Sequence, residues 1–158
     1  MSGKVFYSSE YSILKDRTQL ILSAKGRDES SVAYTIEKQV SVCKQPIHLA
    51  FSSVLIEEDF VIEKNSDIAY FDADKIVYPL TLRHWRKGDS FIPFGMKNRK
   101  KLSDYFSDRK LNRLEKENCW LLCSGDDIIW LVGERADNRF RINPSTKKAL
   151  IIRFYREE

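Results

Sequence analysis

The chain has 158 residues, 42% of them hydrophobic and 32% charged, which is enough for one ordinary domain or two small lobes. Only 6 Gly and 4 Pro stand against 9 Phe, 7 Tyr and 3 Trp, which excludes collagen-like and disordered classes, and no run approaches the roughly 20 apolar residues of a membrane helix. The net charge of +4 is unevenly spread: residues 81–116 hold 11 Lys and Arg against 4 Asp and Glu, a local +7, while the rest of the chain sums to −3.

A hairpin is predicted over residues 11–24, where Tyr-Ser-Ile-Leu and Leu-Ile-Leu flank a polar Lys-Asp-Arg turn. Residues 31–42 alternate, with Val32, Tyr34, Ile36 and Val40 toward one side. Residues 48–51 and 59–62 are short apolar pieces, and residues 52–58 fit a helical turn or an edge strand equally well. Ile68-Ala69-Tyr70-Phe71 reads as a strand ending in an Asp72-Ala73-Asp74 turn, and a second extended segment runs from Pro79 to Trp85. Gly88-Asp89 marks a tight turn, followed by the apolar loop Phe91-Ile92-Pro93-Phe94-Gly95.

Two short helices are expected in the middle. Leu102, Tyr105 and Phe106 share a face at i, i+3, i+4 spacing, and Arg109 and Lys110 stop that face near Asp108. Asn112 with Glu115 three residues on forms the signature of a capping box for the second helix. Residues 120–132 read as a hairpin turning at Ser124-Gly125-Asp126-Asp127, and residues 150–155 close the chain as a strand.

Chemistry-bearing sets are sparse. Cys43, Cys119 and Cys123 form no C-x-x-C pair, and His48 and His84 are far apart, so neither a disulfide framework nor a zinc site is expected. Cys119 and Cys123 should share one buried strand face. Asp72 and Asp74 read as turn formers rather than a metal pair, and Asp89 as a brace for its own turn, Arg83 or Arg86. Trp120 and Trp130 belong in the core, leaving Trp85 as a stacking candidate.

A localised basic segment points first to nucleic acid. The candidate contacts are Arg83, Arg86, Lys87, Lys97, Arg99, Lys100, Lys101, Arg109, Lys110 and Arg113. Arg99, Lys100 and Lys101 precede a helix start, where the dipole disfavours cations, so their placement calls for a role outside the helix. The alternatives are a protein-interaction module with a basic face and an aminoacyl-tRNA editing-type hydrolase. For the hydrolase, no Ser/His/Asp or Cys/His set presents itself.

Taken in order, Phe71-Asp72-Ala73-Asp74-Lys75, residues 79–95, Lys100-Lys101-Leu102-Ser103-Asp104-Tyr105-Phe106, Asp108-Arg109-Lys110, Trp120-Leu121-Leu122, Ile129-Trp130-Leu131-Val132-Gly133-Glu134-Arg135, Thr146 and Leu150-Ile151-Ile152 resemble the C-terminal region of tRNA(Ile)-lysidine synthetase (TilS). Trp85 stands where the family commonly has a second Arg, and Ser90 where an Arg follows Gly-Asp. The resemblance implies an α+β, sheet-rich, β-sandwich-like core with two short helices, similar to a domain of the phenylalanyl-tRNA synthetase β subunit. It divides the chain into a β-rich lobe at residues 1–70, packing on the rest, and a tRNA-binding domain at 71–158.

The enzyme resembled uses ATP to ligate lysine to the wobble cytidine of an isoleucine tRNA. Its Ser-Gly-Gly-x-Asp-Ser phosphate loop is absent from this sequence. The resemblance therefore implies a fragment that is inactive by itself and holds no cofactor, with ATP and magnesium expected for the full-length enzyme. Its implied partners are tRNA(Ile), contacted at the acceptor region, and the enzyme's own N-terminal catalytic domain. With no membrane segment and no leader pattern, a cytoplasmic location is expected.

Overall fold

A computed structural model describes residues 32–156, together with the strands β1 (Lys4–Ser8), β2 (Tyr11–Leu14) and β3 (Gln19–Ile21). Ten further strands of two to eight residues and one of four follow: β4 (Ala33–Ile36), β5 (Val42–Cys43), β6 (His48–Leu55), β7 (Ile68–Asp72), β8 (Leu80–His84), β9 (Ser90–Phe91), β10 (Lys100–Lys101), β11 (Trp120–Ser124), β12 (Asp127–Leu131), β13 (Arg135–Ala136) and β14 (Lys148–Tyr155). Two helices, α1 (Leu102–Asp108) and α2 (Arg113–Glu117), lie between β10 and β11.

The strands form two principal antiparallel sheets. One has the order β13-β12-β11-β8-β4-β3 and the other β5-β6-β14-β7, with the short pairs β1-β2 and β9-β10 beside them. Ile36, Leu80, Leu82, Leu122, Ile129 and Trp130 of the first sheet share one buried cluster with Leu49, Phe71, Leu150 and Ile152 of the second. The sandwich core is thus built from inward positions of both sheets, each large side chain contributing about 1.5–3 kcal/mol on burial. The α+β, β-sandwich-like class expected from the sequence is the architecture observed.

β11 explains the third layer. Leu122 faces the sandwich, while Leu121 and Cys123 face the other way and meet Leu102, Tyr105 and Phe106 of α1 together with Phe91 and Leu131. Because β11 is buried on both faces, it reads as a continuous apolar run, and α1 lies over the outer face. The α1 face and its end at Asp108 are those of the periodicity, and Asn112 and Glu115 form the capping box with bonds of 2.8 Å in each direction.

The hairpin expected over residues 11–24 is a correction. Strands form there, but β2 pairs with β1 and β3 with β4. Local turn composition identifies where a chain can reverse but not which edge each strand finds. The remaining residues of that range lie outside the described ones. Residues 52–55 resolve as strand, carrying β6 along the full length of β14. Both main sheets draw strands from either side of residue 70, since β4 pairs with β8 and β6 with β14.

Candidate nucleic-acid interface

The basic segment is organised by one carboxylate. Gly88 adopts φ +96°, closing a turn in which Asp89 N–H donates to the Arg86 carbonyl at 3.0 Å. The Asp89 carboxylate accepts from both terminal nitrogens of Arg83, at 2.9 and 3.1 Å, and from Arg86 N–H at 2.7 Å. The Arg83 side chain is 13% exposed. Burial opposes its charge, but the bonds to Asp89 outweigh this and hold the guanidinium above its usual pKa. Asp89 therefore braces both its turn and Arg83, and Arg83 sits in the fold rather than in solvent.

The turn is fixed to the helix start. Leu102 N–H donates to the Asp89 carbonyl at 3.0 Å, and β10 pairs with β9 so that Lys100 opposes Phe91 and Lys101 opposes Ser90. Arg86 and Lys87 on the turn, Lys101 on the returning strand and Arg99 just before it are thereby gathered from 16 residues of sequence, and all four are exposed. Arg99 donates to Ser90 Oγ at 3.2 Å. Lys100 is half-buried and reaches along α1 to pair with Asp108. An open groove of about 610 Å³ runs beside Met96, Arg99, Lys100, Lys101, Asp104 and Asp108, so two carboxylates face the cations there and Lys100 neutralises one.

At the far end of α1 the cations are divided again. Arg109 Nε and the Tyr105 hydroxyl both donate to Glu134 Oε1 at 3.2 Å. The hydrogen bond and charge of Glu134 raise the Arg109 pKa, while burial and then Glu134 push the Tyr105 hydroxyl up to about 12. Lys110 stands exposed at φ +59°, in the left-handed conformation that ends many helices and usually falls to Gly. Arg113 opens α2 with a 90% exposed side chain and pairs only with Glu117 within its own helix. Among the described residues, Arg86, Lys87, Lys97, Lys101 and Lys110 take part in no ion pair.

The aromatic expectations separate cleanly. Trp130 is 1% exposed in the sandwich core. Trp120 is partly buried, its ring 3.8 Å from that of His84. Trp85 packs edge-on against Phe106 at 5.2 Å and covers the outer core. Cys119 and Cys123 are buried together beside Leu121, and burial first of all raises their thiols to about 12 and about 11. Asp72 caps the 3-10 turn Ala73–Lys75 by accepting from Asp74 N–H, and it also accepts from Thr146 Oγ1 at 2.9 Å. These uses are structural.

A second organising carboxylate carried no sequence signal. Asp137, 0% exposed, accepts from Ile92 N–H at 3.0 Å and from Arg139 at its backbone N–H, Nε and Nη2 at 2.7, 3.0 and 2.9 Å. It ties the 92–96 loop to the end of the first sheet. Asp-x-Arg spacing is common, and the antiparallel bridge of Pro93 with Asp137 that brings the two segments together spans more than 40 residues. Among the described residues no group of three His, Cys, Asp or Glu could hold a metal ion, and no helix is long and apolar enough to cross a membrane.

The family profile described as "TilS substrate C-terminal domain" matches residues 80–152, the stretch that includes the braced turn, α1 and the β11–β12 hairpin. The chain carries a TilS C-terminal domain. A tRNA(Ile)-lysidine synthase of Parabacteroides distasonis is 55% identical over 152 residues, covering 96% of this chain and 34% of that protein. One from Bacteroides thetaiotaomicron is 42% identical over 150 residues, covering 94% and 32%. The chain thus spans about a third of the length of the curated relatives it matches. The solved structure titled "Crystal structure of TILS C-terminal domain" superposes with a TM-score of 0.64 at 22% identity, covering 80% of this chain and 98% of that one, which shows the shared fold. The relatives' names are those of a tRNA-modifying ligase, in which the TilS C-terminal domain is one part.

Proposed function

We propose that this chain is the tRNA-recognition part of a tRNA(Ile)-lysidine synthetase. It would bind the acceptor region of tRNA(Ile) while the enzyme's catalytic domain, using ATP and magnesium, ligates lysine to the wobble cytidine. Binding and positioning are the chemistry its residues support: no glycine cluster is present to cradle phosphate, and the thiols of Cys119 and Cys123 stay protonated at neutral pH.

The observation that supports the reading is that the Asp89 turn and the β9–β10 pair bring the backbone of exposed Arg86, Lys87, Arg99 and Lys101 together, with Lys97 on the adjoining loop. Cations on a rigid frame suit an RNA helix, which proteins recognise by backbone and shape. Arg83 and Arg109 serve this face indirectly by holding the turn and α1 in place. Titrating a labelled isoleucine tRNA and an unrelated duplex RNA at several salt concentrations tests the reading. Preferential binding of the tRNA, with affinity falling steeply as salt rises, is expected. Equal binding of both RNAs, or affinity indifferent to salt, would exclude tRNA recognition by this face.

A further inference from the structure

The loop after β9 exposes apolar side chains on a backbone that cannot yield. Phe94 is 51% and Met96 42% exposed. Phe94 N–H donates to the Ala136 carbonyl at 2.9 Å, and its own carbonyl accepts from Arg135 Nη2 at 2.6 Å. Gly95 N–H donates to Asn138 Oδ1 at 3.0 Å, Met96 N–H to the Pro93 carbonyl at 2.9 Å, and Asn138 N–H to the Ile92 carbonyl at 2.7 Å. Buried Asp137 holds Ile92 N–H from below. A loose loop would turn its Phe inward to escape water; here residues 135–138 fix the backbone with the ring outward.

The loop divides two depressions. On one side Met96 borders the cationic groove with Arg99 and Lys101. On the other, Phe94 borders an apolar cleft of about 420 Å³ with Ile62, Tyr70, Trp130 and Ile142, beside the Arg135 guanidinium. An anionic chain that leaves the groove across the loop at Met96 would carry an unstacked base toward the exposed Phe94 ring, two residues away. Charge selects this occupant: with Lys100 paired to Asp108, Arg99 and Lys101 outnumber Asp104 along the groove, so an apolar peptide would lie beside uncompensated cations, whereas a nucleotide joins a phosphate for them to a planar face for the ring.

Resting on the RNA-binding reading above, the geometry points to Phe94, supported by Met96, as a stacking platform for an unpaired nucleotide flanking the RNA stem that the cations hold. The cations supply affinity for any phosphate backbone; Phe94 distinguishes a stem with a single-stranded extension from a blunt one.

The test uses one RNA stem-loop in two forms, blunt and with a four-nucleotide single-stranded extension carrying 2-aminopurine next to the stem. The wild-type chain should bind the extended RNA about tenfold more tightly and change the 2-aminopurine fluorescence on binding. Phe94→Ala should bind both forms at the blunt-stem affinity with an unchanged salt slope, and Phe94→Trp should keep the preference. Arg99→Ala with Lys101→Ala should weaken both forms alike and flatten the salt slope. Melting curves for each variant confirm folding, and Phe94→Trp keeps the ring where Phe94→Ala lowers the melting temperature. A preference that survives in Phe94→Ala, or a wild type that binds both forms equally, overturns the platform and leaves the cationic face standing. A wild type that binds neither form at low salt overturns both.

Discussion

Arg83 and Arg86 lie three residues apart in the same basic segment and touch the same carboxylate, yet they serve different ends. Arg83 offers both terminal nitrogens to Asp89, and one of them also to the His84 carbonyl, from a half-buried site, whereas Arg86 offers Asp89 only its backbone N–H and leaves its side chain in solvent. The same division recurs at the end of α1, where Arg109 is held by Glu134 and neighbouring Lys110 is held by nothing among the described residues. A cation with two partners in the fold has already exchanged its water; one without partners can give its water up to a phosphate. The useful count for a binding face is therefore of unpartnered cations, not of positive charges.

The sharpest way to break this division is at its buried acids. Asp137→Ala leaves Arg139 and Ile92 N–H without their acceptor and should lower stability by about 3 kcal/mol, read from thermal or urea melts. A variant that melts like wild type would show the clamp to be idle.

Arg83→Met should cost about 2 kcal/mol, because Asp89 keeps only the Arg86 N–H, while RNA affinity measured below the melt stays near wild type. If stability holds and binding is lost, Arg83 belongs with the exposed set and the comparison inverts.

Arg86→Ala with Lys101→Ala should do the opposite. Stability stays within about 0.5 kcal/mol of wild type, and the slope of log affinity against log salt falls by about 2. An unchanged slope would leave these two cations as ordinary solvated surface.

Alkaline pH probes the buried thiols beneath α1. Cys119 and Cys123 hold their protons to about 12 and about 11, against an ordinary thiol value of 9.0. A folded pKa above the unfolded one means that their contribution is complete below about pH 9 and is lost as pH rises through the folded values. At pH 10 the loss should be on the order of 1 kcal/mol per thiol. Replacing both by Ala should flatten the pH dependence of the melt between 8 and 10.

The smallest effect is expected at Lys110. Lys110→Gly relieves a left-handed non-glycine residue and should raise stability by about 0.5–1 kcal/mol, while the salt slope of RNA binding falls by about 1. Stabilisation without any change in binding would remove Lys110 from the face.

The sequence by itself determined what depends on near neighbours. The α1 face of Leu102, Tyr105 and Phe106, the Asn112–Glu115 capping box, the Gly88 turn and the two-sided burial of β11 all follow from spacing within a turn or a strand, where one period or one cap decides the outcome. The basic segment was legible as a quantity of charge for the same reason. Tertiary structure decided partnership. β2 and β3 took β1 and β4 rather than one another, because an unpaired strand edge is satisfied by whichever strand the whole fold brings to it. Asp137 reached Ile92 across 45 residues, and Glu134 reached Arg109 across 25, contacts that leave no periodic trace. Of the ten candidate cations, Arg83, Lys100 and Arg113 meet carboxylates within eight residues of themselves, while Arg109 meets its own only through the long-range contact with Glu134. Charge is a property of composition, but its availability depends on what the fold sets beside it.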